Sequence, residues 1–390
     1  MIMESSSSRK ALAGFFLSGL LLAFPGAILP SWGYHVRPHY VTIGNYFLTL
    51  NIGLLFSVLL TQSLSRRHNL SLVLTLACAI GFIALAALAF TAPPVPEWWR
   101  LFGFFGLGLG AGTLNTGIFH ALSAAYRLEP AATTNLSGAL FGIGSAVAAI
   151  VVAGTFNIYT VSSILLLVAT IPALFAIIYA RGRFPADQVA RRRQLRDVAR
   201  EFTSPSAILF SLLLFFHFGN EWAIAGWLPL FLIIRLGLSP ASALVLLAVY
   251  WLSLVIGRLV TQLALRRARH GQILLTSVLA SFFGLVILGF TDNYFGATIG
   301  TLLVGVGFAP IYPLVVEKIG ARFPHYHPGL FNGIFSLALT GGMLAPALLG
   351  YAAELFGIQI AMLLPLLGSG IVLLLVLMIW LESRLGSAKL

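Results

Sequence analysis

A short group of side chains that can bind protons or hydrogen-bond a solute lies inside one long apolar stretch. It reads His217-Phe218-Gly219-Asn220-Glu221-Trp222. A charge inside such a stretch costs roughly 2.5–3.5 kcal/mol on insertion scales, so a charged residue there points to a function. No Lys or Arg lies within two helical turns of Glu221 in the sequence, and a buried carboxyl without a cationic partner tends to take up a proton. Glu221 is therefore a candidate for proton coupling or for hydrogen bonding a hydroxylated substrate. A protonated carboxyl satisfied by a neighbouring helix is the structural alternative.

The residues around Glu221 are further candidates for substrate binding. His217 lies one turn earlier, on the same helix face; it could relay protons or bind substrate, or be a buried neutral histidine bonded to backbone. Asn220 can hydrogen-bond a hydroxyl group. Trp222 and Trp227 offer flat apolar surfaces that could stack on the C–H faces of a sugar or could simply pack against other helices.

Polar residues in other apolar stretches extend this set. Asn115 falls about half-way along the fourth stretch, and His120 follows near its end. Tyr312 in the tenth stretch and Asn332 in the eleventh are also candidates for substrate binding.

Two charged residues are predicted to form a conformational latch. Arg258 has no acidic neighbour in the sequence, and Glu317 lies near the end of the tenth stretch. We expect them to pair across the helix bundle and lock one conformation. The alternative is local pairing of Glu317 with its own flanking bases, Lys318 and Arg322.

The composition places these residues in a membrane protein. Hydrophobic residues make up 59% of the 390-residue chain and charged residues only 9%, whereas a soluble domain carries roughly 25% charge. The single cysteine, Cys78, lies in an apolar run, so no internal disulfide can form.

Twelve apolar runs are long enough to cross a bilayer, which takes roughly 20 residues. Because the runs are continuous rather than alternating, helices are expected and strands are not. The predicted spans are about 11–34, 41–64, 71–91, 98–126, 135–156, 159–181, 206–234, 240–264, 271–291, 295–319, 329–353 and 358–382. The fold class is thus an all-α membrane protein with twelve transmembrane helices in two pseudo-symmetric six-helix bundles. The predicted domains are residues 1–181, a cytoplasmic linker at 182–205, and residues 206–390.

The basic residues predict the orientation. With twelve spans both termini share one side, and 19 Lys and Arg fall on it, against Arg37, Arg100 and Arg235 in the opposite loops. Since basic residues mark the cytoplasmic side, we expect both termini in the cytoplasm and the protein in the cytoplasmic (inner) membrane. This distribution assigns the net charge of +12 to membrane topology, so the lipid bilayer is an expected partner and nucleic acid is not.

The two halves carry traces of a duplication. Thr61-Gln62-Ser63-Leu64-Ser65-Arg66-Arg67 recurs 200 positions later as Thr261-Gln262-Leu263-Ala264-Leu265-Arg266-Arg267. Gly19 matches Gly219 and Gly26 matches Gly226 at the same offset, while Gly106 and Gly108 match Gly305 and Gly307 at an offset of 199. Parallel halves of this kind are typical of secondary transporters, with the substrate site between them.

Motifs of other function classes do not occur. There is no glycine-rich phosphate loop followed by Lys-Ser or Lys-Thr, no Gly-x-Ser-x-Gly elbow and no His/Cys/Asp cluster with metal spacing. These patterns would mark ATP-driven pumps, hydrolases and metal sites. We therefore expect no enzyme, no cofactor and no metal.

Four segments carry a resemblance to a known family: Gly108-Leu109-Gly110-Ala111-Gly112-Thr113-Leu114-Asn115-Thr116, Asn135 through Gly144, Phe218 through Leu228, and Gly305-Val306-Gly307-Phe308-Ala309-Pro310-Ile311-Tyr312-Pro313. Over its whole length the chain resembles the major facilitator superfamily. The four segments resemble the fucose:proton symporter and glucose/galactose permease family.

The chain departs from that family at its acidic positions. Gly26 stands four positions before Pro30, where the fucose symporter has an acidic residue, and Asn115 stands where it has a glutamate in the fourth span. Ser65 and Leu265 replace the superfamily's usual aspartate in two loops. Coupling must then rest on Glu221 or be absent.

The resemblance and the residues together predict a secondary active transporter for a small polar solute such as a sugar. We expect alternating access, a coupling proton or sodium ion, and a monomeric protein. The alternatives are a multidrug-type exporter of amphipathic compounds and, from another class, a non-transporting membrane sensor or a lipid scramblase.

Overall fold

The computed structural model describes residues 6–123, 125, 130–184, 205–265, 267–322 and 328–387, and these contain helices and no strand. The helices are α1 (Ser6–Ile28), α2 (Tyr40–Arg67), α3 (Leu70–Phe90), α4 (Trp98–Ala121), α5 (Pro130–Thr155), α6 (Val161–Ala180), α7 (Pro205–Leu236), α8 (Pro240–Ala264), α9 (His270–Phe290), α10a (Tyr294–Phe308), α10b (Ile311–Arg322), α11 (Pro328–Phe356) and α12 (Ile360–Ser387). Counting α10a and α10b as one, twelve of these are long and apolar enough to cross a membrane. The predicted all-α fold with twelve spans is confirmed.

Proline and glycine set several helix boundaries. The tenth span is interrupted between Phe308 and Ile311, where Pro310 lacks the N–H that a continuous helix would need. Gly237 and Gly357 follow α7 and α11 with φ of 65° and 78°. These left-handed conformations end a helix and favour glycine, which has no Cβ to clash.

The chain divides into two compact units. The first comprises Met1–Val189 and Leu232–Leu252, and the second comprises Ala190–Phe231 and Ser253–Leu390. The predicted linker at 182–205 lies mostly outside the described residues, so the proposed domain boundaries stay a prediction.

Glycines bring the helices within each unit into close contact. In the first unit α4 packs on α2, and a side chain at Gly108 would run into the backbone of Leu50 and Leu54. Small residues at such contacts allow helices in a membrane to approach closely.

The same contacts recur in both units, which supports the duplication. Gly19 of α1 lies against Phe141 and Ser145 of α5. Gly219 of α7 lies against Gly341 and Ala345 of α11, each 200 positions later. The match between Gly19 and Gly219 is therefore a match of packing partners as well as of sequence.

The fourth and tenth spans match at a different offset from the predicted one. Gly110 lies against Ala77 and Gly81 of α3, and Gly307 lies against Ser277 and Ser281 of α9. Gly103 lies against Leu88 and Gly300 against Leu288 in the same way. The contacted residues of α3 and α9 are 200 positions apart. The glycines of the fourth and tenth spans that contact them are 197 positions apart. The predicted pairing of Gly106 and Gly108 with Gly305 and Gly307 is two residues out of register.

Replacing Gly108 by leucine should destabilise the protein strongly. The new side chain must displace the backbone of α2, and overpacking of this kind costs about 1–3 kcal/mol or more. Thermal unfolding of the purified variant measures the loss. Gly154→Leu is the matched control, because a Cβ at that exposed position meets no atom within 4 Å. Equal melting temperatures for the two variants would contradict the packing of α2 on α4.

Candidate functional site

The polar centre of the second unit is a pair of buried side chains on α7. His217 Nε2 lies 3.6 Å from Glu221 Oε2, and the two side chains are 1% and 9% exposed. Their four-residue spacing puts them on one helix face, as the sequence predicts. Neither imidazole nitrogen of His217 makes a hydrogen bond to a described residue.

A third charged group approaches this pair from α8. The guanidinium of Arg258 interacts electrostatically with both His217 and Glu221. Its Nε is shielded from solvent and has no hydrogen-bond acceptor among the described residues. Glu221 thus has no basic neighbour along the chain, but the fold supplies one. We call His217, Glu221 and Arg258 the charged cluster.

Aromatic rings lie next to the charged cluster. Phe308 of α10a meets the His217 imidazole edge-on at 5.5 Å between ring centroids. Phe218 lies against Tyr312 of α10b at 5.2 Å. Tyr312, a predicted site residue, is half-buried and contacts the residue next to His217 in the sequence.

Asn220 lies on α7 but contacts another helix. Its Nδ2 donates to Ser369 Oγ of α12 at 3.4 Å, and its side chain packs directly on Gly368. Asn220 is 5% exposed. In this structure it joins two helices of the second unit.

The two predicted tryptophans differ in surroundings. Trp227 is fully buried, and its Nε1 donates to the carbonyl oxygen of Pro346 at 2.9 Å. A buried indole with a satisfied N–H acts as packing between α7 and α11. Trp222 is half-buried and lies beside Gly342.

The remaining predicted substrate residues lie elsewhere. Asn115 and His120 belong to α4 of the first unit and are half-buried. At the offset of 197 in sequence, Asn115 corresponds to Tyr312. The side chain of Asn332 lies outside the described residues.

The predicted latch is not formed in the described residues. Glu317 Oε1 pairs instead with His270 Nε2 at 2.9 Å, with both side chains about half exposed, at 57% and 45%. His270 begins α9, next to the end of the tenth span. Arg258 lies within α8, and it interacts electrostatically with Glu221 of α7.

A second buried arginine organises one end of the first unit. Arg100, at the start of α4, is 3% exposed. Its Nη1 donates to the hydroxyls of Tyr34 and Tyr46 at 3.0 and 3.2 Å. Its Nε and Nη2 donate to the carbonyl oxygens of Thr91 and Val95 at 2.9 and 3.0 Å. The guanidinium also lies 5.2 Å from the centre of the Trp32 ring, a favourable cation–π distance.

Glu97 completes this network. It accepts from Thr42 Oγ1 at 2.9 Å and from the Tyr34 hydroxyl at 3.4 Å, and its Oε1 lies 3.6 Å from His39 Nδ1. Burial, and then the adjacent Tyr46, raises the pKa of the Tyr34 phenol, so Tyr34 stays a neutral hydroxyl between the two charges. The sequence analysis assigns Arg100 to a loop, whereas the structure shows that its side chain is buried.

Twelve helices long and apolar enough to cross a membrane, a repeated set of glycine contacts and a charged cluster on two of these helices are typical of a secondary transporter with repeated halves. The model of the Major Facilitator Superfamily matches residues 12–342. The chain belongs to this superfamily and is a multi-pass membrane transporter.

Three comparisons refine this assignment. The glucose/mannose transporter GlcP of Bacillus subtilis (strain 168) is 22% identical over 315 residues, 77% of this chain and 76% of that protein. The crystal structure of the nucleoside transporter NupG is similar with a TM-score of 0.69 at 14% identity, covering 96% of this chain and 98% of that one. The transporter FucP in its outward conformation gives a TM-score of 0.60 at 15% identity, covering 95% and 98%. The predicted resemblance to the superfamily is confirmed, and a protein named as a sugar transporter is among the relatives.

Proposed function

We propose that the protein carries a small polyhydroxylated solute of the sugar type across the cytoplasmic membrane by alternating access. The relative named as a glucose/mannose transporter supports the sugar type. The observation that carries the proposal is the buried pair of His217 and Glu221, because its polar atoms inside a span can hydrogen-bond a hydroxylated solute. Phe218 and Tyr312 beside it supply apolar surface for the solute's C–H groups.

Glu221 is the proposed coupling residue. The Glu221 side chain is only 9% exposed. A buried carboxylate carries a high desolvation cost, and taking up a proton removes that cost. Arg258 favours the ionised form by its charge. The two influences oppose each other, so a change in the surroundings of Glu221 during transport can load or release its proton.

The test is uptake into proteoliposomes containing the purified protein. We expect a polyhydroxylated solute to accumulate when the outside is made acidic, and a proton-conducting ionophore to abolish that accumulation. Amphipathic dyes should neither be transported nor compete. Transport of such dyes, without transport of any hydroxylated solute, would instead favour the multidrug-type exporter.

We also infer that both termini are cytoplasmic. The supporting observation is the bias of basic residues between the two sets of loops. Cysteines introduced by Arg37→Cys and His68→Cys test it, since both positions are exposed and the native Cys78 is buried. A membrane-impermeant maleimide should label position 37 in intact cells and position 68 only after permeabilisation. The reverse pattern would invert the proposed topology.

A further inference from the structure

We propose that the guanidinium of Arg258 binds a carboxylate of the transported solute. The substrate is then a hydroxylated monocarboxylate, such as a sugar acid, rather than a neutral sugar. This inference rests on the proposed function and names the substrate class for the same site.

The buried Nε of Arg258 is a donor that the described residues leave unused. A guanidinium has five N–H donors. The Nε of Arg258 is shielded from solvent and makes no hydrogen bond to a described residue. Arg100 provides the comparison within the same protein. Its guanidinium has a structural role and donates to two hydroxyls and two carbonyl oxygens.

The charge of the cluster favours a negatively charged solute. His217 and Glu221 of α7 interact electrostatically with Arg258. The residues of the tenth span beside them, Phe308 and Tyr312, carry no charge. Ionised Glu221 balances the arginine. When Glu221 takes up a proton the cluster becomes positive, and a positive charge inside a span is costly. A carboxylate carried by the solute restores neutrality at that step.

The shape of the Arg258 guanidinium and the neighbouring polar atoms also fit a hydroxylated carboxylate. The planar fork of arginine matches a carboxylate with two parallel hydrogen bonds, which makes it the preferred partner for that group. His217 is 1% exposed, and both its ring nitrogens lack a hydrogen bond among the described residues. These nitrogens can form hydrogen bonds with the solute hydroxyls next to the carboxylate. Phe218 and Tyr312 can pack against the carbon chain of the solute.

A consequence separates this substrate class from neutral sugars. One proton and one carboxylate enter together, so no net charge crosses the membrane. Uptake should respond to an imposed pH difference and not to an imposed membrane potential. A neutral sugar moving with a proton would instead carry one positive charge inward and respond to both.

The experiment uses full-length protein in proteoliposomes and labelled D-gluconate, D-glucuronate and D-glucose as probes. We expect the two acids to be taken up under an inward proton gradient and glucose to be taken up far more slowly. A potassium diffusion potential set with valinomycin should leave the rate unchanged. Faster glucose uptake that responds to the potential would overturn the inference and leave the proposed function intact. Absence of uptake for all three probes would count against both.

Variants at Arg258 identify the residue responsible. Arg258→Gln should reduce uptake of the acids on the order of tenfold to a hundredfold, the size expected for losing a hydrogen bond to a charged group. Arg258→Lys should recover part of it. Arg267→Gln, at an exposed arginine just after α8, is the matched control and should be unaffected. Thermal unfolding and size-exclusion profiles establish that the variants are folded. A folded Arg258→Gln with undiminished acid uptake would refute the assignment.

Discussion

Glu221→Gln should abolish accumulation of the solute against its gradient while leaving exchange across the membrane. The amide keeps the shape and hydrogen-bonding capacity of a protonated carboxyl but cannot release a proton. Under a proton gradient, the concentration of solute inside the vesicles should therefore rise only to the external concentration. Counterflow, in which labelled solute enters vesicles preloaded with unlabelled solute, should continue, because it needs no net proton movement.

Glu317→Gln is the matched control. Glu317 is also in a predicted span, but its side chain is 57% exposed and pairs with His270, so accumulation should persist. Uphill accumulation by the Glu221→Gln variant at the wild-type level would remove Glu221 from the coupling mechanism. Loss of counterflow as well as accumulation would make Glu221 a binding residue rather than a coupling residue.

Arg100→Gln should lower the stability of the protein more than any other single change at that end of the first unit. The substitution breaks the four hydrogen bonds of the guanidinium and leaves buried acceptors unsatisfied. Hydrogen bonds to a charged group contribute about 1.5–3 kcal/mol each. The expected loss of two or more such bonds lowers the melting temperature by roughly 5–10 °C.

Arg37→Gln is the control. It removes a positive charge that is predicted on the same side of the membrane as Arg100, but at an exposed position, so it should change the melting temperature little. Differential scanning fluorimetry of both variants in one detergent makes the comparison. A melting temperature for Arg100→Gln within a degree or so of the control would show that the network contributes no net stability.

The sequence by itself determined the membrane fold. Hydropathy and the length of apolar runs are properties of contiguous residues, so all twelve spans could be predicted together with the membrane class. The spacing of His217 and Glu221 is also local. Four residues make one helical turn, and their shared face followed without knowledge of any other helix.

Only the tertiary structure decided which groups meet these residues. Arg258 and Glu221 are on separate helices, and the sequence led to a pairing of Arg258 with Glu317 that the described residues do not form. Asn220 and Trp227 are in the predicted stretch, but their partners, Ser369 and Pro346, are more than a hundred positions away. The composition of α7 could not show which of its faces meets α11 and α12.

Contacts between distant segments also decided the register of the repeat and the role of Arg100, which the sequence could not show. Short glycine patterns matched at the offset of 199, whereas the packing partners of Gly103 and Gly110 fix the offset at 197. Arg100 reads as a loop cation until the fold brings Tyr34 and Tyr46 over it. Hydropathy and helical spacing act between near neighbours in the chain. Burial and charge pairing in this protein depend on contacts between distant segments, which exist only once the helices have packed.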